Sequence, residues 1–182
     1  MKKGRFDMKK FLALLLALVM ALSLFACGKK DGDNKDNKDN ADNSAYKVAM
    51  ITDYGDITDQ SFNQTTYEAC KAFAEKNGID FKYYKPNGDN TADRVAMIES
   101  AVEEGFNVIV MPGYAFGGAI VEAAPQHKDV KFIALDVAKG DLLEAGVAKA
   151  GEKYDYTPDN WELEKYVDMS NVYCAIYKEE LC

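Results

Sequence analysis

Apolar runs of four or five residues recur along this chain, each separated from the next by a stretch with helical spacing, and this alternation limits the fold more than any other feature. The runs are KVAMI (47–51), FKYY (81–84), VIVM (108–111) and KFIAL (131–135). Between them, residues 61–77 set Phe62, Thr66, Ala69, Cys70 and Phe73 at helical spacing, and Val95, Ile98 and Val102 mark the inner face of a second helix. Residues 116–124 read as a short third helix before Pro125. Gly78 and Gly105 supply helix stops, and Ser61 with Gln64 fits a capping box that places Phe62 in the first turn. Parallel neighbours need a crossover, so strand–helix alternation predicts an α/β fold: a parallel, Rossmann-like sheet with helices on both faces. VIVM and FIAL suit strands buried on two sides. Residues 138–169 lose the pattern and are expected to be a long acidic, aromatic-dotted loop that is functional or packs on its own. NVYCAI (171–176) returns as a fifth strand, and the final KEELC reads as the first turn of a further helix.

In open parallel sheets ligands bind beyond the carboxyl ends of the strands. The relevant loops therefore hold Asp53 to Phe62, Pro86 to Asn90, Pro112 to Phe116, and Asp136. The first of them, ITDYGDITDQSFNQ, carries Asp53, Asp56 and Asp59 ahead of a lone ring, Phe62. Loop solvation and helix capping account well for Asp56. A calcium loop wants oxygen ligands at alternate positions and a closing glutamate, whereas these acids recur every third residue. An enzyme needs a nucleophile, base or metal at the same edge. The chain has no GxSxG or HExxH, and its one histidine, His127, falls in an exposed Pro-Gln-His-Lys loop away from that edge. MPGYAFGG (111–118) lacks the order of a phosphate-binding loop, and its glycines suit close backbone approach or a tight turn. Neither metal nor cofactor is expected. A carboxylate accepting from an N–H edge or a sugar diol contributes about 1.5–3 kcal/mol, and an aromatic face stacked on a base about 1–3 kcal/mol. Acid plus ring fits a nucleoside.

The chain opens MKKGRFDMKKFLALLLALVMALSLFACGKK, with basic residues, an apolar run from Phe11 to Ala26 broken by Ser23, and a small residue before Cys27. That is the order of an export signal, and the run is shorter than the roughly 20 residues needed to span a bilayer. Leu24-Phe25-Ala26-Cys27 resembles a bacterial lipobox, so residues 1–26 are expected to be a signal peptide and Cys27 the acylated amino terminus. GKKDGDNKDNKDNADNSA has no aromatic or branched apolar residue, and residues 27–45 are expected to be a disordered tether. The domain would then work on the extracytoplasmic face of the cell membrane.

Without residues 1–26 the chain carries 17 Lys and Arg against 29 Asp and Glu, a formal charge of −12. Such a balance disfavours nucleic acid as a partner. Cys70, Cys174 and Cys182 have no CxxC or CxxH spacing and read as buried small hydrophobes, with a disulfide between two of them left open.

KVAMITDYG, DITDQSFNQTTYEAC, VIVMPGYAF, FIALD and NVYCAIYKEEL together resemble the basic membrane protein family, the PnrA-like substrate-binding lipoproteins of bacterial ABC importers. The likeness runs from about Tyr46 to the end, with D-x-S-F-N its most specific element. It implies one lobe of a type I periplasmic binding protein, whose two lobes close on a purine nucleoside and pass it to ABC permease subunits. It further implies that Asp53 and Asp136 contact the base and that Phe62 stacks on it. Asn63 belongs to the same motif, and Gly113 and Tyr114 are candidate lining residues. Residues 46–182 would be the first lobe, broken off before the second, and one lobe offers half a site. The runner-up ligands are a sugar or another small polar solute, and an extracytoplasmic flavodoxin-like enzyme is the alternative of a different class.

Overall fold

A computed structural model describes residues 45–176. The expected signal peptide, the acylated Cys27 with its tether through residue 44, the KEELC turn and Cys182 lie outside them.

Five strands form one parallel sheet: β1 (Lys47–Ile51), β2 (Asp80–Tyr84), β3 (Val108–Pro112), β4 (Lys131–Leu135) and β5 (Val172–Ala175), in the order β2-β1-β3-β4-β5. Four helices connect them: α1 (Phe62–Asn77), α2 (Thr91–Glu103), α3 (Gly117–Ala123) and α4 (Lys139–Lys149). The α/β parallel-sheet architecture expected from the alternation is present. β1 and β3 are central and nearly all buried, as continuous apolar runs must be when helices cover both faces. Ile51, Ile109, Met111, Phe116, Ile120 and Phe132 are fully buried at the centre of the core. The strand order reverses between β1 and β3, so the two loops leaving this switch point splay apart and open a crevice.

Several expectations need correction. The inner face of α1 is Asn63, Thr66 and Ala74, not the Phe62–Phe73 stripe; Cys70 is half-buried, Ala69 is exposed and Phe73 is 55% exposed. Tyr67 packs instead against Phe81 and Tyr83 of edge strand β2, with ring centroids 5.6 and 5.4 Å apart. In α2 the buried positions are Arg94, Ile98 and Ala101, one residue round from the expected face, with Val95 and Val102 at its margin. In both helices a polar side chain that finds partners at the sheet edge takes an inward position.

Residues 138–169 are also not one long loop, because their first third is α4. Leu142, Leu143 and Val147 give it a buried stripe, and the Asp141 carboxylate accepts from the Ala138 N–H at 2.7 Å to close the first turn. Gly146 hides the helix in the sequence but is required by the packing, since a Cβ there would lie 2.8 Å from Val167 Cγ2. Beyond α4 the chain folds back on it. Tyr154, Trp161, Leu163 and Tyr166 pack with Leu143 and Val147 into a small second core. Asp155 ties this segment together by accepting from Trp161 Nε1 at 2.7 Å, Thr157 N–H at 2.9 Å and Asn160 Nδ2 at 3.2 Å.

The cysteine reading is corrected in part. Cys174 is exposed on β5, while burial pushes the Cys70 thiol up to about 11; both are free. His127 is half-buried, not exposed, and pairs with Glu99 at 2.9 Å.

Candidate functional site

The crevice at the switch point is built on Asp53, two residues past the end of β1. Thr52 still belongs to the sheet edge, its N–H donating to the Tyr84 carbonyl at 3.0 Å. Asp53 then turns the chain with its own carboxylate. Oδ1 accepts from the N–H groups of Tyr54 (2.6 Å) and Gly55 (2.8 Å) and from Asn63 Nδ2 (2.9 Å). Partial burial pushes this carboxyl up, but those three hydrogen bonds and the nearby Arg94 charge outweigh it and hold the pKa below the ordinary value. Asp53 is therefore an anion at neutral pH, with one oxygen committed to the loop.

Asn63 is the second pin. It is 6% exposed, and its amide nitrogen bridges Asp53 Oδ1 and Asp59 Oδ2, the latter at 3.0 Å. Asp59 takes the capping role expected of Ser61: its Oδ1 accepts from the N–H groups of Ser61 (2.8 Å) and Gln64 (3.2 Å), and Ser61 makes no side-chain cap. A carboxylate here suits the orphan donors and the positive end of α1. The Gln64 side chain turns instead to the Gln60 N–H at 3.0 Å. Asp56 has the structural role expected of it, accepting from Thr58 N–H and Oγ1 and pairing with Lys85 at 3.2 Å.

The opposite wall comes from the loop after β3. Gly113 has φ 111°, a left-handed value that a side chain resists, and its N–H donates to the Leu135 carbonyl at 2.8 Å. A Cβ at Gly113 would lie 3.8 Å from Asp53 Oδ2, so the missing side chain leaves that oxygen room for a ligand. Tyr114, 72% exposed, follows at the rim. The floor holds Arg94, 4% exposed, whose Nε donates to the Asp53 carbonyl at 2.9 Å and whose Nη2 pairs with Asp89. Together these side chains line a cleft of about 320 Å³. Among the described residues no group of three or more His, Cys, Asp or Glu is placed to hold a metal ion.

The profile of the ABC transporter substrate-binding protein PnrA-like family, Bmp, matches residues 46–154, more than half of the chain. This chain belongs to the PnrA-like family. Its relatives include a CD4+ T-cell-stimulating antigen of Listeria innocua, 33% identical over 139 residues that cover 70% of this chain and 37% of that protein. An ABC transporter nucleoside-binding protein, BmpA, of Lactococcus lactis is 26% identical over 94 residues, covering 50% of this chain and 26% of that protein. The match thus spans little more than a third of the length of the Listeria relative. Among solved structures, an ABC transporter solute-binding protein from Conexibacter woesei superposes with a TM-score of 0.46 at 26% identity, covering 55% of this chain and 32% of that one.

Of the residues singled out in this PnrA-like sequence, the structure brings Asp53, Asn63, Gly113 and Tyr114 to one cleft. Phe62 and Asp136 stand on the same edge but outside its lining. Phe62 begins α1 beside Asn63 and is 39% exposed. Asp136 follows β4 in a left-handed conformation, φ 59°, with its N–H on the Ala175 carbonyl at 2.7 Å. Its carboxylate has no hydrogen-bond partner among the described residues. Sequence reasoning missed Arg94, and it named the loops that hold Tyr54 and Asp89 without singling out those two residues. A signal for Arg94 existed, since it stands in phase with Ile98 and Ala101 at i, i+4 and i+7, with a carboxylate five residues upstream.

Proposed function

We propose that this protein is an extracytoplasmic, membrane-anchored solute receptor of an ABC importer that binds purine nucleosides without transforming them. The observation that carries the reading is Asp53. Its carboxylate is ionised, rigid and saturated on Oδ1, and Oδ2 adjoins the gap left by Gly113. Such an oxygen accepts from an N–H edge of a base, and the exposed rings of Phe62, Tyr54 and Tyr114 offer faces for stacking. Asp136, whose carboxylate has no hydrogen-bond partner among the described residues, serves as a second acceptor on the same edge, and Asn63 keeps the first in place. The family supports an importer context, with permease subunits as the protein partners. One lobe supplies one wall of the site, and a facing lobe would complete it.

Titrating guanosine, inosine, adenosine, uridine and ribose into the purified chain, by calorimetry and by amide-shift NMR up to millimolar ligand, tests the reading. Saturable binding of the purine nucleosides with shifts centred on Tyr54, Asn63 and Tyr114 is expected. Binding of ribose alone would move the assignment to sugars.

We also propose acylation of Cys27 as the anchor, because the cysteine follows an apolar export segment directly after a small residue. Lipid chains contribute about 0.8 kcal/mol per buried methylene, enough for stable retention when several are attached. Cys27→Ser should shift the protein from the membrane fraction to the soluble extracytoplasmic fraction. Retention of an unprocessed Cys27→Ser chain would instead identify an uncleaved signal anchor.

A further inference from the structure

We infer that Arg94 is the positioning residue of this cleft: it grips the Asp53 backbone and thereby keeps Asp53 Oδ2 available to the ligand. The inference rests on the reading that Asp53 accepts from the bound solute.

Arg94 reaches three of the connections that form the edge. Its Nε donates to the Asp53 carbonyl in the β1–α1 loop at 2.9 Å, its Nη2 pairs with Asp89 in the β2–α2 loop, and its guanidinium lies 5.8 Å from the centroid of the Phe116 ring, just before α3. Only a planar fork makes these contacts together, because a lysine ammonium is a compact point charge on a flexible stem. Among the residues lining the cleft it is the one cation, set beside the carboxylates of Asp53, Asp59 and Asp89. Its side chain is 5% exposed, whereas that of Asp89 is 67% exposed.

A purely structural role explains this arrangement poorly. Buried ion pairs are often replaced by packed apolar side chains without loss of stability, so a buried charge alone is weak evidence of a stabilising device. Here the guanidinium is aimed at the carbonyl of the residue whose carboxylate faces the cleft. Releasing that carbonyl would let the Asp53-Tyr54-Gly55 turn rotate and move Oδ2 away from the opening at Gly113.

The test uses this chain with guanosine as probe. Arg94→Gln should weaken guanosine binding roughly tenfold or more. Asp53→Asn added to Arg94→Gln should then cost far less than Asp53→Asn alone, since a positioning residue and its client are coupled. Asp89→Asn, at an exposed side chain, should cost several-fold in affinity with an unchanged Tm. A readout independent of ligand is the Asp53 carboxyl carbon shift followed through acid titration. Its midpoint should rise in Arg94→Gln, because Asp53 loses the cation beside it while Asp59 remains. Should Arg94→Gln not fold, Arg94→Lys, which keeps the charge but not the planar fork, carries the affinity cycle with Asp53→Asn in its place. Additive losses in the double variant, or an unmoved Asp53 midpoint, overturn the inference. If the wild-type chain binds no nucleoside, the nucleoside assignment falls, and the carboxyl titration still decides whether Arg94 governs Asp53.

Discussion

Asp53→Asn is expected to weaken purine nucleoside binding about 10- to 100-fold while the fold stays intact. The size of the effect follows from which oxygen is already in use. Oδ1 receives Tyr54 N–H, Gly55 N–H and Asn63 Nδ2, and an asparagine can satisfy those three donors only by keeping its carbonyl oxygen there. Its NH2 group must then take the place of Oδ2 beside Gly113. An N–H of the base would meet a donor where it met a carboxylate, and a charge-assisted bond of about 1.5–3 kcal/mol would be lost. Phe62→Ala should cost about tenfold by the separate route of lost stacking. Calorimetric titration of both variants checks this. An Asp53→Asn protein with wild-type affinity would remove Asp53 from the site, and an unaffected Phe62→Ala protein would remove the ring.

Leu143→Ala is expected to destabilise the protein by about 2–5 kcal/mol, the range for deleting a fully buried leucine. Leu143 is 0% exposed and lies where α4 meets Tyr154, Trp161, Leu163 and Tyr166. Trp161 is the one tryptophan of the chain, with ring centroids 5.6 Å from Tyr154 and 5.4 Å from Tyr166. Its emission should therefore shift to the red as the small core loosens. Denaturant unfolding followed by tryptophan fluorescence measures both effects. A midpoint and emission equal to wild type would show that residues 150–170 do not depend on α4 for their packing.

The second core explains why the region after Leu135 was the hardest part of the chain to read. Its helix contains Gly140 and Gly146, which weaken any local helical signal, and Gly146 is there because Val167, 21 positions later, approaches too closely for a side chain. The aromatic residues looked scattered because their partners are each other across turns. Local pattern carries no information about such contacts.

The helix faces teach the same lesson from the other direction. Apolar spacing set Phe62 and Phe73 on one stripe of α1, yet the buried face carries Asn63, because its amide serves two carboxylates at the sheet edge. In α2 the buried charge of Arg94 is paid for by partners as far as 41 residues away. A helix with apolar residues on neighbouring stripes can present either, and polar groups at the edge decide the rotation.

What the sequence determined by itself is the alternation of strands and helices, the parallel sheet that follows from it, and the edge on which Asp53, Gly113 and Asp136 fall. Those are consequences of short apolar runs, chain stops and crossover geometry, all of them local or topological. The tertiary structure decided which of the edge residues share a cleft. Asp53, Asn63, Gly113 and Tyr114 come together because β1 and β3 are neighbours where the strand order reverses, and Arg94 joins them because α2 packs beside that point. Asp136 and Phe62 lie on the same edge but outside that cleft, since loop conformation and helix rotation, not strand order, set where each side chain ends.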